Sequence, residues 1–190
     1  MTFKVLTSDK DIWRPQTRER ATLTRVGKNL ALFGGLSNVV DPYIHFFDLR
    51  RRTWIEEDKF GEEKWGADQK CYKADHSACF YSPYLIYFGG EVHDHHGDQT
   101  SISNDTVWYS IEKDLWDQSL KTKISTRELP ERKNHLAFVH LSDMYVVGGH
   151  TGIYTQHLMD CYRLNLKTLV WTTVTVISID HLYSRPHLTQ

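Results

Sequence analysis

Three apolar runs, each closed by a glycine pair, recur along this chain in fixed register: Leu30-Ala31-Leu32-Phe33-Gly34-Gly35, Tyr84-Leu85-Ile86-Tyr87-Phe88-Gly89-Gly90 and Met144-Tyr145-Val146-Val147-Gly148-Gly149. An internal repeat restricts a chain to architectures that stack one unit on another, so it is settled before any local reading. Ala21, His76 and His135 each stand thirteen residues before the first glycine, and each opens a run that reads as a strand. Downstream, Asp48, Ser110 and Asn165 each stand six residues before Trp54, Trp116 and Trp171. These two spans keep their length in all three copies. The other two vary: 14, 21 and 17 residues from the glycine to the Asp/Ser/Asn position, then 22, 19 and 16 from the Trp to the next His-type position. Rigid elements joined by elastic loops have this signature.

Each copy reads as a four-stranded antiparallel unit. Strand a is expected at 21–26, 76–81 and 135–140, followed by tight turns at Val26-Gly27-Lys28-Asn29, Ser82-Pro83 and Leu141-Ser142-Asp143. Strand b is the apolar run. Its apolar residues do not alternate with polar ones, so both of its faces should be buried. The glycine pair permits positive φ or close backbone approach where that strand ends. Strand c falls at 44–49, 105–111 and 160–166, and strand d starts at each Trp. A sheet covered on both faces by neighbouring sheets is the blade of a β-propeller, which stacks such sheets radially. The expected fold class is therefore all-β, a propeller of four-stranded blades.

At these residues the sequence resembles the kelch-repeat family. His76-Ser77-Ala78, the run ending in Gly89-Gly90, Asn104-Asp105-Thr106-Val107-Trp108-Tyr109 and Trp116 look like one repeat. The third copy matches through Arg132, His135, Gly148-Gly149, Asp160, Tyr162 and Trp171. The first is looser: it has Ala21 for the histidine and Pro42-Tyr43 for the Asn-Asp, but keeps Arg20, Gly34-Gly35, Asp48 and Trp54. The resemblance covers residues 16 to 187, with repeats 55 and 59 residues apart, somewhat longer than the family period of about 50. It implies a partner-recognition module of the kind often joined to an F-box, a BTB domain or a catalytic unit, none of which is read in this sequence. The same superfamily includes copper oxidases similar to galactose oxidase and iron-dependent specifier-type proteins, so a metal-dependent enzyme is the alternative. Stoichiometric copper or iron after purification would favour that alternative.

The blades divide the chain at 16–70, 71–130 and 131–183. Leu6-Thr7-Ser8-Asp9-Lys10-Asp11-Ile12-Trp13 echoes Tyr109-Ser110-Ile111-Glu112-Lys113-Asp114-Leu115-Trp116. Residues 1–15 are accordingly read as terminal strands of another blade, with a frayed tail as the other possibility. Ser184-Arg185-Pro186-His187 reads as the opening of a further copy within 184–190. Propellers close with about four to eight blades. Three blades suggest a fragment or incomplete gene product that needs missing blades or self-association to close, or a four-bladed ring.

Composition adds exclusions. With 23 basic and 24 acidic residues, nothing suggests a nucleic-acid partner. No apolar run approaches membrane-spanning length, and Met1 to Thr7 lack a secretory signal. Cys71, Cys79 and Cys161 show no paired spacing, so a reduced, cytoplasmic setting is the default. Arg50-Arg51-Arg52 reads as a solvated hairpin turn rather than a nuclear signal.

Antiparallel geometry sorts the connections. The a–b and c–d turns share one face of the stack, the b–c and d–a connections the other, and every long segment is of the second kind. That face comprises 36–42, 91–104 and 150–159, with 57–73, 118–134 and 180–186. A protein partner is expected there, since loops on a rigid scaffold carry recognition. The candidate binding residues are Phe60, Trp65, His93, His95, His96, Asp98, His150 and Tyr154. Phe60 and Trp65 are aromatics ringed by charge, a common composition for interface anchors, although they could equally tuck over a blade edge.

Glu91-Val92-His93-Asp94-His95-His96-Gly97-Asp98 is rich in metal-ligating groups, but a metal site needs converging ligands with outer support. A solvated polar insertion is the preferred reading. Cys71-Tyr72 and Cys161-Tyr162 superficially match the Cys–Tyr pair that the oxidase resemblance implies. Adjacency alone makes no crosslink, and Cys161-Tyr162 reads as strand-c core. His76 and His135 read as structural. No catalytic residue, metal or cofactor is assigned.

Overall fold

A computed structural model of the chain describes residues 13–38, 41–56, 72–93, 99–125, 129–152 and 157–175. Within them, all regular structure is β. In chain order the strands are β1 (Thr22–Val26), β2 (Asn29–Phe33), β3 (His45–Asp48), β4 (Thr53–Trp54), β5 (Tyr72–Ala74), β6 (Ser77–Tyr81), β7 (Tyr84–Phe88) and β8 (Glu91–His93). They continue as β9 (Gln99–Ile102), β10 (Thr106–Ser110), β11 (Leu115–Trp116), β12 (Lys123–Ile124), β13 (Leu136–His140), β14 (Asp143–Val147), β15 (Cys161–Asn165) and β16 (Val170–Val174). Three meanders result: β1-β2-β3-β4, β6-β7-β10-β11 and β13-β14-β15-β16. All pairings inside them are antiparallel. These are the three blades, and their first strands lie side by side, β1 against β6 and β6 against β13.

The middle b strand, β7, is buried on both faces because blades 1 and 3 cover it, whereas β2 and β14 bury alternate residues against blade 2 alone among the described residues. Between blades 1 and 2, Ala31, Phe33 and Phe46 meet Leu85, Tyr87, Tyr109 and Trp116. Between blades 2 and 3, Cys79, Ile86, Phe88 and Trp108 meet Met144, Val146, Tyr162, Leu164 and Trp171. Residues −3 and −1 from the glycine pair thus look toward the following blade, and −4 and −2 toward the preceding one. The repeated Trp is part of both interfaces: Trp116 lies 5.2 Å from Phe33, and Trp171 5.1 Å from Phe88, ring centre to ring centre.

The six-residue spacing before each Trp encodes a hairpin turn. Asp48 Oδ1 accepts from the Arg50 and Arg51 N–H groups at 2.8 and 2.9 Å. Asn165 Oδ1 accepts from Lys167 and Thr168 at 3.1 and 2.9 Å, and Ser110 Oγ from Lys113 at 3.3 Å. Each turn closes with a left-handed residue two positions before the Trp: Arg52 (φ 59°), Asp114 (φ 49°) and Leu169 (φ 59°). Side chains of Asp, Asn and Ser favour such turns because they can accept from backbone N–H groups just ahead. Arg50, Arg51 and Arg52 are exposed on this turn.

The structure departs from the sequence reading in three places. The connection expected as a loop at 91–104 contains two strands: β8 pairs with β9 and also with β5, making a separate three-stranded sheet. The short β12 adds to the outer edge of blade 3, parallel to β16. Residues 13–15 carry no strand, and the rest of the expected N-terminal strands lies outside the described residues, as do 184–190.

Candidate functional site

The connections make the stack one-sided. Two residues separate a from b in every blade, and four separate c from d. All longer segments leave from the opposite face, and the β5-β8-β9 sheet stands there.

That face is organised by the residues just ahead of each a strand. A basic residue reaches the carbonyl of the first glycine in every copy: Arg18 Nη1 to Gly34 O (3.2 Å), Lys73 Nζ to Gly89 O (3.1 Å) and Arg132 Nη1 to Gly148 O (2.9 Å). The same groups tie down the end of the b–c connection. Arg18 pairs with Asp41 at 2.5 Å, and Arg132 holds both Asp160 oxygens at 2.6 and 3.0 Å. Lys73 reaches Ser103 Oγ (3.4 Å), which donates to Asp105 (3.0 Å). Blade 1 therefore keeps the carboxylate that Pro42-Tyr43 had obscured, supplied by Asp41. Burial would raise the Asp41 carboxyl, but hydrogen bonds from His45 and Arg18 outweigh it and lower it to about 2.

Two residues further on, Arg20, Asp75 and Asn134 share a left-handed backbone (φ 62°, 54° and 54°). They link the blades in series: Asp75 N–H donates to Arg20 O at 3.1 Å, and Asn134 N–H to Asp75 O at 3.0 Å. The Arg20 side chain reaches from there to Glu91, the residue directly after the second glycine pair. Glu91 is 2 % exposed and is held by Arg20, Lys133 and His93, while Arg20 also pairs with Asp75. Burial opposes the ionised Glu91 carboxylate, yet the hydrogen bonds from Lys133 and Arg20 keep it below its usual range. One network thus joins all three blades where the first strands meet.

Among the candidate binding residues, His93 is buried on β8 with its Nε2 3.3 Å from Glu91 Oε2. It belongs to the framework of the face instead of projecting from a solvated loop, because β8 is paired on both edges. His150 occupies in blade 3 the position of Glu91 in blade 2. It pairs with Lys133 through the backbone, accepts from the Gly152 N–H (3.2 Å) and lies 6.2 Å from the His157 ring. Phe60, Trp65, His95, His96, Asp98, Tyr154 and Cys71 lie outside the described residues. An open depression on the same face is lined by Thr17, Arg18, Glu19, Leu36, Ser37 and Asn38.

Among the described residues, no group of three or more His, Cys, Asp or Glu side chains is arranged to hold a metal. Cys161 and Tyr162, adjacent on β15, project to opposite faces of the sheet, and the Tyr162 ring lies under the Arg132 guanidinium at 5.1 Å. His76 and His135 are buried, each hydrogen-bonded to a hydroxyl of the preceding blade: Thr22 Oγ1 at 2.9 Å and Ser77 Oγ at 2.8 Å. No helix among the described residues is long and apolar enough to cross a membrane.

Four-stranded antiparallel blades, packed face to face with their first strands together, define the β-propeller class. Residues 1–187 match the KLHDC2/KLHL20/DRC7 Kelch-repeats domain, and the chain belongs to the kelch-repeat family. Kelch domain-containing protein 3 of Bos taurus is 23 % identical over 84 % of this chain and 41 % of its own length; the Homo sapiens protein of that name aligns with the same identity and coverage. Acyl-CoA-binding domain-containing protein 5 of Arabidopsis thaliana is 28 % identical over 86 % of this chain and 23 % of that protein. The chain spans less than half the length of these curated relatives.

Proposed function

We propose that this chain is a protein-binding scaffold, without catalysis of its own, that recognises a protein partner through the face bearing the b–c and d–a connections. The observation that carries this reading is the asymmetry of the connections: two-residue and four-residue turns on one side, every longer segment on the other. The network around Glu91 gives those segments a rigid base, as recognition loops require. Kelch repeats generally serve protein interaction, which supports the assignment. The partner-contacting set is drawn from Phe60, Trp65, His95, His96, Asp98, His150 and Tyr154, with His93 supporting from beneath.

Site-specific photocrosslinking tests this. A photoreactive residue is placed singly at 60, 65, 150 or 154, and in a second series at Lys28, Ser82 or Asp143. The first series should yield discrete protein adducts that the second does not. Adducts confined to the second series, or equal in both, would overturn the assignment.

A further inference from the structure

The face that bears the short turns carries its charge unevenly. In blade 1 the a–b and c–d turns lie side by side, joined where the Leu49 N–H donates to the Lys28 carbonyl at 3.0 Å. Residues 26–29 and 48–53, which make up these turns, hold Lys28, Arg50, Arg51 and Arg52 against one carboxylate, Asp48. Asp48 is buried, and its Oδ1 is taken by the Arg50 and Arg51 N–H groups. All four cationic residues are exposed, and none forms an ion pair among the described residues. This exposure belongs to the turn and not to the end of the stack. Blade 2 has a blade on either side, and in its equivalent turns Ser82, Glu112, Lys113 and Asp114 are exposed as well.

Blade 3 adds a second cationic corner. Lys167 is exposed on its c–d turn, and Lys123, also exposed, lies beside that turn, its N–H donating to the Leu169 carbonyl at 2.8 Å. The a–b turn adjoins them through the Leu166 N–H, which donates to the Ser142 carbonyl at 2.8 Å. At its tip Leu141 is 81 % exposed with φ 55°, where blades 1 and 2 place exposed Gly27 and Ser82. Between the two corners, the blade 2 turn Glu112-Lys113-Asp114 is net negative. This layout selects the partner. A nucleic acid holds its phosphates at fixed intervals along a line, and a line from one corner to the other crosses the acidic turn. The anionic lipids of a bilayer are free to gather beneath separate cationic corners, and the bilayer interface accepts an apolar tip as well.

We infer that the turn face docks on an anionic lipid membrane, with Lys28, Arg50, Arg51, Arg52, Lys123 and Lys167 against the headgroups and Leu141 entering the interface. The contact is peripheral, and it leaves the b–c and d–a face turned to the aqueous side. Each cation near such a surface contributes about fivefold in affinity. The attraction decays over a Debye length of about 10 Å at 0.1 M salt, so the contact is salt-sensitive. Recognition of a protein partner by the opposite face does not depend on it.

The experiment is flotation of the full 190-residue chain with two kinds of vesicle, phosphatidylcholine alone and phosphatidylcholine with about 30 % phosphatidylserine. The parent should float with the second and not with the first, and should be released as salt rises to about 0.5 M. Arg50→Gln combined with Arg51→Gln should weaken binding about 25-fold. Leu141→Ser should weaken it about threefold or more. Both changes are at exposed turn tips, so the melting temperature should not move. A parent that floats with neither vesicle or equally with both would overturn the membrane contact. So would an Arg50→Gln/Arg51→Gln or Leu141→Ser variant that floats like the parent. Retention of the parent on a DNA duplex without flotation would assign the cations to a nucleic acid instead.

Discussion

Gly89 is where backbone conformation and blade packing can be separated by experiment. Its φ is 65°, and a Cβ there would stand 2.6 Å from the Arg132 carbonyl and 2.8 Å from His135 Cε1, both in the next blade. Gly27, in the first a–b turn, has φ 56° with nothing within 4 Å of the equivalent point. Gly27→Ala should therefore cost only left-handed strain, about 1 kcal/mol. Gly89→Ala should add the displacement of a packed backbone. The Arg132 carbonyl already accepts from Gly90, so it cannot withdraw without losing a bond between blades. Overpacking of this kind costs about 1–3 kcal/mol, for a total of about 2–4 kcal/mol. Urea unfolding of both variants and the parent, at unchanged m value, measures the difference. Equal losses at the two sites would refute the close approach, leaving φ alone as the reason for the glycine.

Three further outcomes are expected. Burial lowers His76 from 6.5 to about 3 and His135 from 6.5 to about 4, so both are neutral when folded and take up protons only on unfolding. Their contribution is complete above about pH 6.5 and is lost as pH falls toward 4; at pH 5 each should cost about 2 kcal/mol, and stability by urea that is flat from pH 7.5 to 5 would count against this. Arg132→Ala strands the Gly148 carbonyl and Asp160 and should lose about 3–5 kcal/mol, whereas Arg132→Lys should lose less, because Lys73 fills the same role in blade 2; identical losses in thermal melts would contradict the argument. Glu91→Gln keeps the shape but removes the charge that Arg20 and Lys133 share, and should destabilise by about 1–3 kcal/mol; a neutral result would mean that the network does not hold the blades.

The blades were legible because their determinants are local or periodic. A glycine pair, a Trp and an apolar run in fixed register report directly on strand ends and buried faces, as Gly89, Trp116 and Ile86 show. The turn before Trp was legible only as a length; its left-handed residues are Arg52, Asp114 and Leu169, which bear no glycine to betray them. The hairpin β8–β9 was hidden because Glu91, His93 and the polar residues after them lack strand alternation. Their pairing depends on β5, which enters from a different connection. Likewise the partners of Glu91 lie 71 and 42 residues away in sequence, at Arg20 and Lys133. No spacing rule anticipates convergence on the propeller axis. The basic triplet Arg18, Lys73 and Arg132 could have been found: each stands three residues before Ala21, His76 and His135, in the register already in hand.

The central claim, that recognition belongs to one face, is tested most directly by affinity. With a crosslinked partner identified, its binding is measured against alanine variants at Phe60, Trp65, His150 and Tyr154, and against Lys28→Ala, Ser82→Ala and Asp143→Ala, each variant first checked for an unchanged melting temperature. At least one variant of the first set should weaken binding by about 2 kcal/mol or more, as interface anchors do, and the second set should bind like the parent. Loss of binding in the Lys28, Ser82 and Asp143 variants, with the long-loop variants unaffected, would contradict the account.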